Sequence, residues 1–298
     1  MTLALLNYNE ERAVVTSLPH CVAVPDVTAF ADNRLGVAAV ENGRLVGFLG
    51  CYKPWEHAFG SAAKGTFSPM HAHGAVKKGR AGIYKRLYQA AADIWVQNGI
   101  AYHAVALYAH DAEAVQSFFS YGFGLRCVDA VRPLTDIPCA VDTQLRFREI
   151  EKKEVAMLRG MREALSAHLA ASPCFMRMRA EGFQEWLSRA EARASRVFIA
   201  MRGGEAIAYM EVMDEGENFA TEASGMQSIC GAYCLPAYRG GNVSVGLLNY
   251  IIQTLRAEGY ESLGVDFESF NPTASGFWLK HFTAYTSSVT RRIDECGL

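Results

Sequence analysis

The sequence predicts an α+β protein made of two tandem copies of one fold, each a mixed, largely antiparallel sheet flanked by helices. Three observations carry that expectation. Apolar residues switch between period-two runs and helical spacing along the whole chain. The 298 residues are 50% hydrophobic, enough to fill the cores of one large or two medium domains. And the chain resembles itself when displaced by 160 positions, which brings Gly43 onto Gly203, Gly99 onto Gly259 and Asp111 onto Asn271.

The other matches in that displacement are apolar: Ile83 with Val243, Leu87 with Leu247, Ala91 with Ile251, Val105 with Val265 and Phe118 with Trp278. Apolar coincidences come cheaply, whereas glycines that coincide at turns do not. The Pro-containing segment RPLTDIPCAVDTQ, from Arg132, is the expected join, giving domains 1–138 and 139–298.

In the first copy, RLGVAAV and RLVGFLGCY read as strands around the turn ENGR. After a long excursion, GTFSPMHAHGAV precedes the helix AGIYKRLYQAAADIWVQ. The strand YHAVALYA and the helix AEAVQSFFSYG follow. The first thirty residues are the least legible, with one helix expected from Glu10 to Leu18.

In the second copy, LRFREI is a strand and Val155, Leu158, Met161, Leu165 and Leu169 follow at helical spacing. EGFQEWLSRAEAR is a second helix. RVFIAM and EAIAYMEVM form a hairpin across Gly203 and Gly204. Strand SICGAYCL leads to Pro236, and a helix with Leu247, Leu248, Ile251, Ile252 and Leu255 inward ends at Gly259. Strand SLGVDF, a helix from Asn271 and the β-rich tail TAYTSSVTRRI complete the chain.

A formal net charge of −2 gives no global attraction to nucleic acid or an anionic membrane. No apolar run reaches the roughly 18–20 residues that span a bilayer. The N-terminus has no basic start before its apolar patch, so a cytoplasmic location is expected. The eight cysteines contain no CxxC pair, and free thiols are expected, with no metal.

The stretch PAYRGGNVSVGLLNYIIQTL runs from a proline through Arg-Gly-Gly-Asn directly into an apolar helix. A helix N-terminus carries amides without intrahelical partners and a partial positive charge. Small residues let an anion approach them, so Gly240, Gly241, Asn242, Val243 and Ser244 form a candidate phosphate cradle with Arg239 beside it. An unliganded strand-to-helix turn is the other reading.

A strand, then Pro-x-x-Arg-Gly-x-x-Val, an apolar helix, a strand, and Asn-x-x-Ala-x-x-Phe-Trp resembles the GCN5-related N-acetyltransferase (GNAT) family. The resemblance covers most of the second copy and, more weakly, the first. Against the family's Arg/Gln-x-x-Gly-x-Gly/Ala, Arg239 matches, while Asn242 and Ser244 stand at the two small positions. The resemblance implies two acyl-CoA N-acyltransferase folds, with acetyl-CoA as cosubstrate between two splayed strands of the second. Pantetheine amides would pair with Tyr233, Cys234 and Leu235, the diphosphate would sit on Gly240–Ser244, and Asn271 would touch the arm. In the first copy KKGRAGIYKRLY matches more poorly, and its basic residues read as a solvated turn or a phosphate contact.

Acyl transfer to an amine needs a proton removed from a group whose free pKa is ~10.4. It also needs donors for the developing oxyanion, and help for the departing thiolate. The family often uses a tyrosine on the last helix as acid. Trp278 and Phe118 stand there and cannot do this, though Trp278 counts among the implied cofactor contacts. Tyr285 and Tyr121 are possible substitutes. Glu211 and Glu222 are candidate bases, with a solvated acid at a strand edge the commoner role for such residues. His71 and His73 could bind metal, serve as a base, or simply pack. Met176 and Met178 line an acceptor pocket or fill space, and Trp55, Trp95 and Trp186 belong to cores or to the seam between copies.

The expected function is transfer of an acetyl group from acetyl-CoA to a primary amine of a small molecule or peptide. A non-catalytic CoA-sensing or protein-binding module is the alternative, and an aminoacyl or other acyl transferase a third. A monomer or homodimer is expected.

Overall fold

The computed structural model describes residues 2–177, 182–192 and 195–294, so Met178 and Cys296 lie outside the described residues. The chain divides into two units: residues 1–130 with 283–298, and residues 131–282. The expected division at 138/139 therefore differs from the observed one twice: residues 131–138 fall in unit 2, and residues 283–298 in unit 1. No described helix is long and apolar enough to cross a membrane.

In unit 1, helix α1 (Leu3–Val14) starts at Thr2, whose hydroxyl accepts from the Leu5 amide. It begins well before the expected Glu10, because the N-cap lies at the second residue and no apolar periodicity marks it. A short α2 (Thr28–Asp32) leads to the hairpin β1 (Val37–Glu41) and β2 (Arg44–Leu49). Asn42 and Gly43 turn it at φ 50° and 77°, which explains the glycine there. β3 (Gly65–Ser68) pairs in parallel with β5 (Tyr102–Tyr108), and β4 (His73–Ala75) pairs with β2 instead. Residues 69–72 separate β3 from β4, so His71 and His73 do not share one strand as expected.

Helices α3 (Arg80–Gln97) and α4 (Ala112–Phe119) flank these strands, with Leu87, Ala91, Trp95 and Phe118 in one core. β6 (Gly124–Pro133) crosses the division at residue 130.

Unit 2 opens with β7 (Arg146–Ile150), a 3-10 turn over Lys152–Leu158, then α5 (Arg159–Ala170) and α6 (Gly182–Ala192). β8 (Arg196–Arg202) and β9 (Glu205–Met213) form the expected hairpin. β10 (Met226–Cys234), α7 (Val243–Ala257), β11 (Ser262–Glu268) and α8 (Pro272–His281) follow, in the sheet order β11-β10-β9-β8-β7. Leu247, Leu248, Ile251, Ile252 and Leu255 of α7 are all 0% exposed. Each such burial stabilises the unit by about 1.5–3 kcal/mol. Gly246 lets α7 lie close to β7, since a Cβ there would sit 2.7 Å from Phe147 Cζ. On the opposite face, Leu158, Met161 and Trp186 pack on Val197, Ile199, Tyr209 and Tyr233.

The two last strands, β12 (Thr283–Ala284) and β13 (Thr286–Arg292), belong to unit 1. β13 lies between β5 and β6, and its Val289 is fully buried in the core of Leu87 and Phe118. The tail reads correctly as β, but alternation alone does not say which copy's sheet it completes.

Trp95 donates its indole N–H to Leu35 O in the core, as expected. Trp55 does not: it is 38% exposed against Phe59.

Candidate functional site

β10 and β11 pair in parallel for four residues only, from Met226↔Ser262 to Ile229↔Val265. Beyond that β10 runs on through Cys234 along β9, and β11 runs on to Glu268, so the two strands diverge. A bulge between Ile229 and Gly231 bends β10 at the point of departure. Leu235 gives its amide to Ile207 O. By antiparallel alternation, Tyr233 then also faces β9, while Ala232 and Cys234 turn their N–H and C=O toward the open side.

The resulting cleft has a volume of about 700 Å³ and lies wholly in unit 2. One wall is Ala232, Tyr233 and Cys234, the mouth is Arg239, Gly240 and Asn242 with Val243 and Ser244 of α7, and the facing wall is Asn271, Phe277 and Trp278. Nine of the eleven residues expected to hold a cofactor are thus brought together; Leu235 and Gly241 are not on its wall. Leu235 is spent on β9, and Gly241 stands in the exposed turn at the mouth.

The mouth is built to stay open. Asn242 caps α7 at φ 60°, and its Nδ2 donates to Ala140 O at 3.0 Å. Gly246 N–H is the first amide of the helix to find a carbonyl, that of Asn242 at 2.8 Å. The preceding amides therefore point out of the helix unused. A Cβ on Gly240 would meet nothing within 4 Å and one on Gly241 only Tyr238 O at 3.9 Å. The space in front of the amides is free for a ligand. Gly240 is needed for its φ of 81° as well. Arg239 folds its Nε onto Cys234 O at 3.0 Å, with its guanidinium over the Tyr233 ring. Burial raises the Cys234 thiol pKa, offset in part by the Ser244 hydroxyl and Arg239.

Asn271 caps α8: its Oδ1 accepts from Ala274 N and Thr273 Oγ1. Asp111 caps α4 the same way through Ala114 N. Capping thus accounts for the coincidence of these two residues in the repeat. Thr273 Oγ1 also meets His168 Nε2 at 3.0 Å, and His168 lines the cleft from α5. His281 lines it from the end of α8; burial, then Arg132 and Lys280, push its pKa below the ordinary value. Neither histidine is conspicuous in the sequence. His168 is recognisable only as the outward turn of an amphipathic helix.

The candidate bases separate. Glu211 on β9 is 6% exposed, and its Oε2 accepts from Trp186 Nε1 at 2.6 Å. A Cβ on Gly231 would lie 3.2 Å from that oxygen and 3.6 Å from Arg162 Nη1, so both side chains hang over the bulge. Glu222 instead is exposed before the start of β10, the end opposite the cleft. Tyr285 is 0% exposed in unit 1 and exchanges backbone hydrogen bonds with Asp129 and Ala109. None of Glu211, Glu222 and Tyr285 is on the cleft wall, and the last two are also remote from it. Both assignments fail because sequence order does not show that β10 points away from Glu222, or that the tail leaves unit 2.

Segment 137–139, expected as a linker, lines the cleft. Asn249 of α7 clamps it, accepting from Ile137 N at 2.8 Å and donating to Ile137 O at 2.7 Å. Met176 does not line the cleft. In unit 1, His73 is buried with both ring nitrogens occupied, by Tyr84 OH and Ala106 O, which settles it as a packing residue. His71 is buried against Phe30.

Residues 162–282 match the family model described as acetyltransferase (GNAT) family, a match that falls wholly in unit 2. No curated protein sequence matches the chain. Among solved structures, a GCN5-related N-acetyltransferase from Sphaerobacter thermophilus is 13% identical, with 87% of this chain and 80% of that one covered at TM-score 0.57. A tandem GNAT protein from the clavulanic acid biosynthesis pathway is 14% identical over 97% and 94%, at TM-score 0.49. A GNAT-family acetyltransferase from Colwellia psychrerythraea is 13% identical over 97% and 96%, at TM-score 0.47. The first shows the fold; the family model reaches the cleft itself, spanning β10, the open turn, α7 and α8. Over residues 162–282, the chain is similar to the acetyltransferase (GNAT) family.

Proposed function

We propose that the cleft of unit 2 binds acetyl-CoA and transfers its acetyl group to a primary amine. The observation that carries this reading is the run of unpartnered amides at the start of α7, open at the mouth of a cleft whose other wall is an unpaired strand edge. A diphosphate fits the amides and the partial charge of the helix. Arg239 and Lys280 add positive charge at the cleft. An extended arm with two amides fits the outward N–H and C=O of Ala232 and the outward N–H of Cys234 by strand addition, with Arg239 already on Cys234 O.

With the arm laid along β10, the thioester points toward the bulge. The amine nitrogen attacks the thioester carbon, the carbonyl oxygen becomes negative, and the C–S bond then breaks to release the CoA thiolate. His168 is the group best placed to take the proton from the amine, because its imidazole stands on the cleft wall, held by Thr273 Oγ1. Glu211 is second in line, acting through water over Gly231. Trp278 offers no hydroxyl to the thiolate, so proximity and oriented amides supply most of the rate.

The test is calorimetric titration with CoA, followed by a thiol-release assay across an amine library. Saturable CoA binding and amine-dependent thiol release support the reading; no CoA binding removes it. His168→Gln should lower turnover about 100-fold without changing CoA affinity. A larger loss in Glu211→Gln than in His168→Gln reverses the two roles. Trp278 at the usual acid position favours a second reading, a CoA-sensing module. CoA binding with no thiol release for any amine selects it.

A further inference from the structure

Unit 1 repeats the splayed strands of unit 2, and its groove is filled. Val76 gives its amide to Val46 O, so Ala75 turns its own N–H and C=O away from β2, as Cys234 does from β9. One side chain takes both groups. Asn7 of α1 accepts from Ala75 N–H at 3.0 Å and donates through Nδ2 to Ala75 O at 3.1 Å. This is the two-point pattern that an added strand would make on the same edge. Gly74 allows the approach, since a Cβ there would lie 3.0 Å from Asn7 Oδ1 and 3.2 Å from the Leu3 backbone.

The helix entrance is altered to match. In the displacement by 160, Arg80, Ala81 and Gly82 fall on Gly240, Gly241 and Asn242, yet they already belong to α3. Arg80 is 6% exposed and turns inward, donating to Ala75 O at 3.0 Å and pairing with Asp111 at 3.1 Å and Glu10 at 2.7 Å. The α1 carboxylate thus supplies the anion at the first turn of α3. Glu11, one residue on, is 3% exposed and accepts from His110 N–H at 3.2 Å and meets its Nδ1 at 2.7 Å. Asn7, Glu10 and Glu11 share one face of α1, so the whole face is engaged.

We propose that α1 is a built-in occupant of the first unit's cofactor groove. The Asn7 carboxamide holds the main-chain position that a pantetheine amide would need, and the chain binds one acyl-CoA, in unit 2. The stoichiometry rests on the reading of unit 2 given above.

Two measurements on the full-length protein test this. Native mass spectrometry at a CoA concentration that just saturates the unaltered protein should show one molecule per chain, and none in Gly241→Glu, which leaves unit 1 untouched and would bind too weakly in unit 2 to load there. Two per chain, or one retained in Gly241→Glu, overturns the occupant while leaving CoA binding intact. No CoA on the unaltered protein removes the acyl-CoA reading instead, and the occupant is then decided by hydrogen exchange. The Ala75 amide should exchange at least about tenfold faster in Asn7→Ala, with β5 amides unchanged. Asn7→Asp, which still accepts but cannot donate, should keep Ala75 protected. Unchanged exchange in Asn7→Ala overturns the proposal.

Discussion

In unit 2, α7 starts at Val243 and leaves Gly240–Asn242 outside it; in unit 1, α3 starts at Arg80 and takes the matching residues into its first turn. Both helices are entered through a left-handed residue, Asn242 at φ 60° and Gly79 at φ 71°. Both place an arginine on the carbonyl of the open strand edge, Arg239 on Cys234 and Arg80 on Ala75. What differs is the direction each feature faces. Arg239 is exposed at a cleft, whereas Arg80 is buried among carboxylates supplied by the fold itself. On the readings proposed above, the same scaffold serves as a ligand site or a sealed core according to three residues at the helix entrance and the α1 side chains Asn7 and Glu10.

The largest expected difference is in the response to acid. Burial pushes His71 and His103 of unit 1 down to about 4 from the ordinary 6.5. A depressed histidine binds its proton in the unfolded chain first. Stability is therefore complete above pH 6.5 and falls as the pH drops toward 4. At pH 5 each histidine costs about 2 kcal/mol, and His73 acts in the same direction. Denaturant unfolding at pH 7.5 and pH 5, followed at β5 and β9 amides, should show unit 1 losing protection first. Equal loss in both units breaks the comparison.

Arg80→Ala comes next. It strands the Asp111 carboxylate, 10% exposed, and should destabilise unit 1 by about 3 kcal/mol. Arg239→Ala should change stability by less than about 0.5 kcal/mol, because its side chain is exposed. Denaturant midpoints measure both; equal effects would mean that the two arginines do not play opposite parts.

The ligand-directed pair is smaller. Gly241→Glu places a carboxylate before the open amides of α7 and should weaken CoA binding about 100-fold, roughly 2.7 kcal/mol. Gly82→Glu, at the unit 1 position that matches the adjoining Asn242, faces open space and should leave CoA affinity unchanged. Arg239→Ala should weaken CoA binding about tenfold, with a shallower salt dependence. Isothermal titration calorimetry reads all three.

Much of this was legible in the sequence. The elements from β5 to α4 and from β11 to α8 stand 160 positions apart, because their packing fixes both strand length and helix start. The glycines of the hairpins and of the α7 entrance announce themselves by backbone conformations that other residues avoid. What the sequence hides is set by contacts distant along the chain. Asn7 gives no sign that it will pair with Ala75, 68 residues on. The tail around Tyr285 reads as a strand, but its partner is β5 of unit 1. Glu211 and Glu222 look alike in sequence, and only the bulge and the direction of β10 set one over Gly231 against Trp186 and the other exposed before the start of β10.

Backbone amide NMR with added CoA reads the central claim most directly. The account predicts shifts concentrated at Gly240–Val245, Ala232 and Cys234, with Gly79–Ile83 and Ala75 unmoved. Shifts centred on Gly79–Ile83, or none in either unit at saturating CoA, would contradict it.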